Sequence, residues 1–202
     1  MKTTPVISHV RFKKLIFALA IICSAATITN AQQEKKVEEI CYNPNAKGDT
    51  SKRSIKSAAV GKISEANVTI NYYSPGVRKR LIWGGLVPYD EVWVTGAHNA
   101  TNLVVDKTFI VGGTSVPAGK YALFTIPGKS VWTVIINKNW DQHLTDDYVE
   151  KDDVVRIKVK SLKQAKSTER LQYYIKNGTG NKGTIAVEWE KLKIEFPLAI
   201  KN

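Results

Sequence analysis

The chain has 202 residues, 43% hydrophobic and 24% charged, and 30 Lys and Arg against 18 Asp and Glu give a formal net charge of +12. No stretch approaches the roughly 20 apolar residues of a comfortable transmembrane helix, and two cysteines give no disulfide framework to replace a packed core. The basic excess favours acidic partners such as anionic glycans or phospholipid headgroups, because summed charge acts at long range; the plain alternative is a solvated basic surface.

The N-terminus follows the order that export machinery reads. Lys2, Arg11, Lys13 and Lys14 precede a wholly apolar run, Leu15 to Ile22 (LIFALAII), and small residues lead to Thr29-Asn30-Ala31. This is the pattern of a secretory signal peptide cleaved after Ala31, and it predicts a periplasmic or extracellular product with no transmembrane segment. A lipoprotein anchored through Cys23 is the weaker reading, since Ile22 stands where a small residue is wanted. Cleavage leaves 171 residues, enough for one domain with one core, and removes four basic and no acidic residues, so the charge falls from +12 to +8. Nucleic acid is not an expected partner of such a chain. Cys41 is then the only thiol, and its polar surroundings lack the flanking signature of a cysteine hydrolase.

Residues 32–55 are poor in apolar side chains and rich in alternating charge, which reads as a polar tether with room for a short helix over Glu34 to Ile40. From residue 56 to 202 the signal has period two. Val68, Ile70 and Tyr72 alternate with polar neighbours, as do Val155, Ile157 and Val159, and Leu171, Tyr173 and Ile175, predicting half-buried strands. YALFTI (121–126) and VWTVII (131–136) are apolar on both faces and predict central strands. Gly112-Gly113, Pro127-Gly128 and Asn177-Gly178-Thr179-Gly180 supply turns.

Ile185, Val187 and Trp189 share a face, as do Leu192, Ile194 and Phe196, but the step from 189 to 192 is three. A β-bulge near Glu190-Lys191 restores the parity within one bent strand; a tight hairpin is the competing account. Nine or ten short strands without a crossover helix predict an all-β fold, a single antiparallel, jelly-roll-like β-sandwich.

The runs YYSPGVRKRLIWGGLVPYDEVWVTGAHNAT and VPAGKYALFTIPGKSVWTVIINKNW carry a resemblance. Ser74 to Arg80, Gly84 to Tyr89, the Val92 to Thr101 corner and Pro117 to Gly128 follow one another as in domain of unknown function 2911, which the chain resembles from about Lys56 to Ile200. The resemblance implies export and a β-rich fold and transfers no catalytic residue. Val94 stands where that family has Arg, and His98 where it has Asn.

VWVTGAHNAT predicts a hairpin between strands at Glu91 to Val94 and Thr101 to Asp106, with His98 and Asn99 projecting beside Trp93. Trp83, Tyr89 and Trp93 form a candidate platform for a sugar ring, with Arg80, Thr95, His98 and Asn99 to orient it; Tyr and Trp are equally at home in a β core. Arg80 is the favoured anion clamp of the Arg78-Lys79-Arg80 cluster, which otherwise reads as a solvated loop.

Asp141, His143, Asp146 and Asp147 share a loop (DQHLTDD), but only two histidines outlast the leader and the carboxylates lack a recognised calcium spacing, so an exposed acidic turn accounts for them and no metal is expected. Gly113 to Lys120 fails as a phosphate loop, because five residues separate its glycines and Tyr121 follows the lysine; no cofactor is expected. The leading expectation is a non-catalytic module for a small molecule, glycan or envelope protein. The alternatives are a hydrolase using His98 or His143 with a carboxylate, and a structural domain that pairs through a sheet edge.

Overall fold

A computed structural model describes residues 53–201, so the expected leader and nearly all of the tether lie outside the described residues. The alternating segments form nine strands: β1 (Ser54–Ile63), β2 (Ala66–Pro75), β3 (Asn102–Val105), β4 (Phe109–Val111), β5 (Thr114–Val116), β6 (Gly119–Ile126), β7 (Val131–Asn137), β8 (Asp153–Asn177) and β9 (Lys182–Ile200). One 3-10 turn, Glu150–Asp152, is the only helical piece among the described residues.

All pairings between strands are antiparallel, and the order is β1-β2-β3-β6-β7-β8-β9-β4-β5. The all-β, antiparallel expectation holds, but the pairing forms one continuous nine-stranded sheet. β8 explains the continuity. It pairs with β7 from Asp153 to Lys160 and with β9 from Ser161 to Asn177, so one strand serves both parts of the sheet. No Gly, Pro, Asn or Asp occurs between Val154 and Lys176, and nothing there reverses the chain. The register against β9 shifts between Lys163 and Thr168 and again between Thr168 and Gln172.

The bulge at Glu190 forms as the parity demands. Its φ is +53°, β9 continues through it, and Trp189 on one side and Ile194 and Phe196 on the other are all buried. Gly112 and Gly113, with φ of +58° and +84°, give the β4–β5 turn two left-handed central residues, which matches the twist of a two-residue hairpin.

β6 and β7 bury both faces, as expected of central strands. On one face Leu123, Trp132, Val134 and Ile136 join Val68, Ile70, Leu103, Leu171, Ile185 and Phe196 in the main core. On the other, Ala122, Phe124 and Ile135 pack beneath Val94 and Ala100. That second, smaller core fixes the segment that carries most of the candidate residues.

Candidate functional site

The chain between β2 and β3, residues 76–101, contains no regular strand. The strand expected at Glu91 to Val94 is a single bridge: Trp93 N–H donates to Thr125 O (2.8 Å), and Thr125 N–H donates to Trp93 O (3.0 Å). The expected hairpin does not form either. Trp93 opposes Thr125 and Asn102 opposes Ala122, so both lie along β6 and run the same way. An unbroken register would put residue 96 opposite Ala122, so six residues loop out of what would otherwise be one strand. VWVTGAHNAT is therefore an excursion from the sheet, and its chain does not reverse.

Three features hold the excursion. Val94 and Ala100 anchor both ends in the second core. Thr95 is fully buried with φ +51°, its hydroxyl donating to Trp93 O (3.2 Å) and bonded to Thr125 Oγ1 (2.9 Å). Its carbonyl accepts from Tyr173 Oη (2.7 Å) and Thr101 Oγ1 (3.2 Å). Burial pushes the Tyr173 phenol well above its ordinary value, so it stays a neutral donor. Gly96 fits because a Cβ there would stand 2.9 Å from Thr101 Oγ1 and 3.1 Å from Tyr73 O. Thr95 thus holds the loop from inside, its hydroxyl buried.

Trp83 and Trp93 meet as a platform would require, with centroids 5.9 Å apart. They do not stand alone. Trp132 of β7 and Trp189 of β9 complete a cluster of four of the five tryptophans: Trp83 lies 4.9 Å from Trp132 and 5.8 Å from Trp189, and Trp93 stacks on Trp189 at 5.7 Å. Trp132 and Trp189 are buried, whereas Trp83 and Trp93 are half-buried, so the cluster runs from the core to the surface. Trp93 Nε1–H donates to Gly96 O (3.2 Å). The indole N–H groups of Trp83, Trp132 and Trp189 are buried without a hydrogen-bond acceptor among the described residues. Buried indole donors ordinarily find one, and edge-on ring contacts replace only part of a lost N–H···O bond. Tyr89, half-buried, packs against Gly84 next to Trp83 in the chain, its Cε2 3.0 Å from where a Cβ on Gly84 would stand.

The remaining candidates engage other segments. Arg80 donates from Nη2 to Gly76 O (2.6 Å) and from Nε to Val77 O (3.2 Å), tying down its own loop. His98, exposed and with φ +59°, shares a hydrogen bond with Ser54 Oγ (2.7 Å) and lies edge-on to Tyr73. Asn99 bridges His143, and Leu144 N–H donates to His98 O (2.7 Å). His143 Nδ1 lies 3.1 Å from Asp146 Oδ2, on an open loop where both side chains are more than half exposed. Among the described residues no group of three or more His, Cys, Asp or Glu is placed to hold a metal.

Sequence reasoning missed Trp132 and Trp189 as members of the site. Period two placed Trp189, and a run apolar on both faces placed Trp132, in core strands, and nothing local shows that residues 83, 93, 132 and 189 meet.

The family model described as "Protein of unknown function (DUF2911)" matches residues 54–198. No curated protein and no solved structure matches the chain.

Proposed function

The chain belongs to the DUF2911 family, and on that premise we propose that it is an exported, non-catalytic binding module for a glycan or small oxygen-bearing molecule, bound at the Trp83–Trp93 edge of the tryptophan cluster. Export rests on the Lys2 to Ala31 pattern. Binding rests on one observation: three clustered indole donors lack an acceptor among the described residues. An unmet buried donor costs about 1–3 kcal/mol, which a ligand hydroxyl or carbonyl oxygen would recover. The C–H face of a sugar suits the exposed edge of Trp83 or Trp93, with Tyr89 beside it. Arg80, Thr95 and His98 are left out of the set proposed for this edge, since their side-chain hydrogen bonds go to Gly76 and Val77, to Trp93 and Thr125, and to Ser54; Asn99 is left out because its bridge to His143 lies on another loop.

The test is tryptophan emission and thermal shift against envelope glycans, oligosaccharides and small metabolites. The expected result is a saturable response that Trp83→Phe weakens, by removing the N–H while keeping a ring, and that His98→Ala leaves intact. No response to any compound, or a response indifferent to Trp83→Phe and Trp93→Phe, would overturn the proposal.

The His143–Asp146 contact favours a second reading, a hydrolase with His143 as general base. Its exposure makes it the weaker one. Hydrolysis of an ester or glycoside that His143→Ala abolishes would establish it.

A further inference from the structure

Arg78, Lys79 and Arg80 are followed at once by Leu81, and all four side chains are exposed. Leu81 is 74% exposed, the highest value among the exposed large hydrophobic side chains, and Leu86 is 47% exposed. The two leucines close one turn, in which Leu86 N–H donates to Leu81 O (3.0 Å). The turn is firmly seated. Val87 N–H donates to Ile82 O (2.9 Å), and both Ile82 and Val87 are buried in the main core. Anchored neighbours therefore hold the leucines outward, which distinguishes them from apolar side chains scattered singly over a surface.

The three cations border this tip, and none of the ion pairs among the described residues involves them. Arg78 and Lys79 sit at φ of +50° and +59°, a backbone that non-glycine residues adopt only when the surroundings impose it. The carboxylate beside them, Glu169, accepts the backbone N–H of Arg78 (2.9 Å). Among the described residues Arg80 donates to the neutral carbonyls of Gly76 and Val77 at the foot of the turn.

We propose that the 78–86 turn docks on an anionic lipid bilayer, with Leu81 and Leu86 entering the headgroup boundary and Arg78, Lys79 and Arg80 lying among the phosphates. A tight turn with outward leucines penetrates a soft surface, whereas a protein partner would have to offer a matching pocket. Three adjacent exposed cations complement a plane of negative charge better than a single carboxylate. The proposal does not depend on the ligand at the tryptophan cluster.

The test uses the full chain with Cys23→Ser, Cys41→Ser and Leu86→Cys, labelled at the new thiol with an environment-sensitive dye. It is mixed with vesicles of phosphatidylcholine alone or containing phosphatidylglycerol. The N-terminal segment is the same in every variant, and only the turn carries the dye. The expected result is a blue shift on the anionic vesicles alone, most of which is lost on adding Arg78→Gln, Lys79→Gln and Arg80→Gln, and reduced by Leu81→Ser. An absent shift, an equal shift on neutral vesicles, or a full shift in the charge variant would overturn the proposal. The same shift evoked by a soluble polyanionic glycan without vesicles would also overturn it and assign the turn to that glycan.

Discussion

Trp93 and Asn102 face Thr125 and Ala122 of β6, three positions apart on that strand and nine apart in their own chain. The surplus chain between them is not slack. It covers Ala122, Phe124 and Ile135, and its buried residues Val94, Thr95 and Ala100 account for much of its sequence by packing alone. On the other side of Trp93 lies the tryptophan cluster, where the proposed ligand would sit.

Gly96 is required by space. Gly96→Ala would bring a Cβ within 2.9 Å of Thr101 Oγ1 and 3.1 Å of the Tyr73 carbonyl. Overpacking of this kind costs about 1–3 kcal/mol, which urea unfolding of the variant would measure. Parental stability would mean that the excursion is looser than its contacts indicate.

Tyr173 ties β8 to the same loop through one buried bond to Thr95 O. Tyr173→Phe removes the donor and leaves that carbonyl the Thr101 hydroxyl, so a loss of about 1 kcal/mol is expected. Hydrogen exchange at residues 95–100 should rise with it; an unchanged exchange pattern would contradict the role of the bond.

Glu190 carries the bulge in a left-handed conformation. Glu190→Gly should raise stability by up to about 1 kcal/mol, and Glu190→Val should lower it by about 1–2 kcal/mol, because a β-branched side chain fits that backbone worst. Thermal unfolding of the two variants checks the order. A valine variant as stable as the parent would place the bulge elsewhere.

Glu195 Oε1 lies 2.6 Å from Lys193 Nζ and 3.1 Å from Lys176 Nζ. The hydrogen bond from Lys193 is the main cause that holds its carboxyl below the ordinary value of 4.5. A carboxylate held low adds stability at neutral pH, and that stability disappears as pH falls through the depressed value. Glu195→Gln should therefore lose about 0.2–1 kcal/mol at pH 7, the range of a solvent-facing pair. The gap to the parent should close in strong acid. Denaturant curves at pH 7 and in acid strong enough to protonate the parent carboxyl decide it; an equal gap at both would assign the loss to packing.

The sequence made legible what depends on spacing. Alternation located β2 and β9, runs apolar on both faces located β6 and β7, and the three-residue step from Trp189 to Leu192 located the bulge. Other elements carried no such signal. β1 (SIKSAAVGKI) is built largely of small residues whose burial does not alternate cleanly, and β4 and β5, at three residues each, are too short to show a period. The two stretches read as separate strands at 155–160 and 171–175 are one strand, because the lysine-rich chain between them has no apolar rhythm but also nothing that turns. The hairpin reading of VWVTGAHNAT failed for a related reason. Gly96 looks like turn chemistry, whereas its smallness answers a contact with Tyr73 and Thr101 that only the fold creates.

β8 also sets how the molecule comes apart. Its early residues are laddered to β7 and its later ones to β9, so freeing either neighbour exposes half of a strand that the other half still constrains. Amide protons from Asp153 to Asn177 should then exchange as one cooperative block, and heat should produce a single transition in which both flanks of the sheet are lost together.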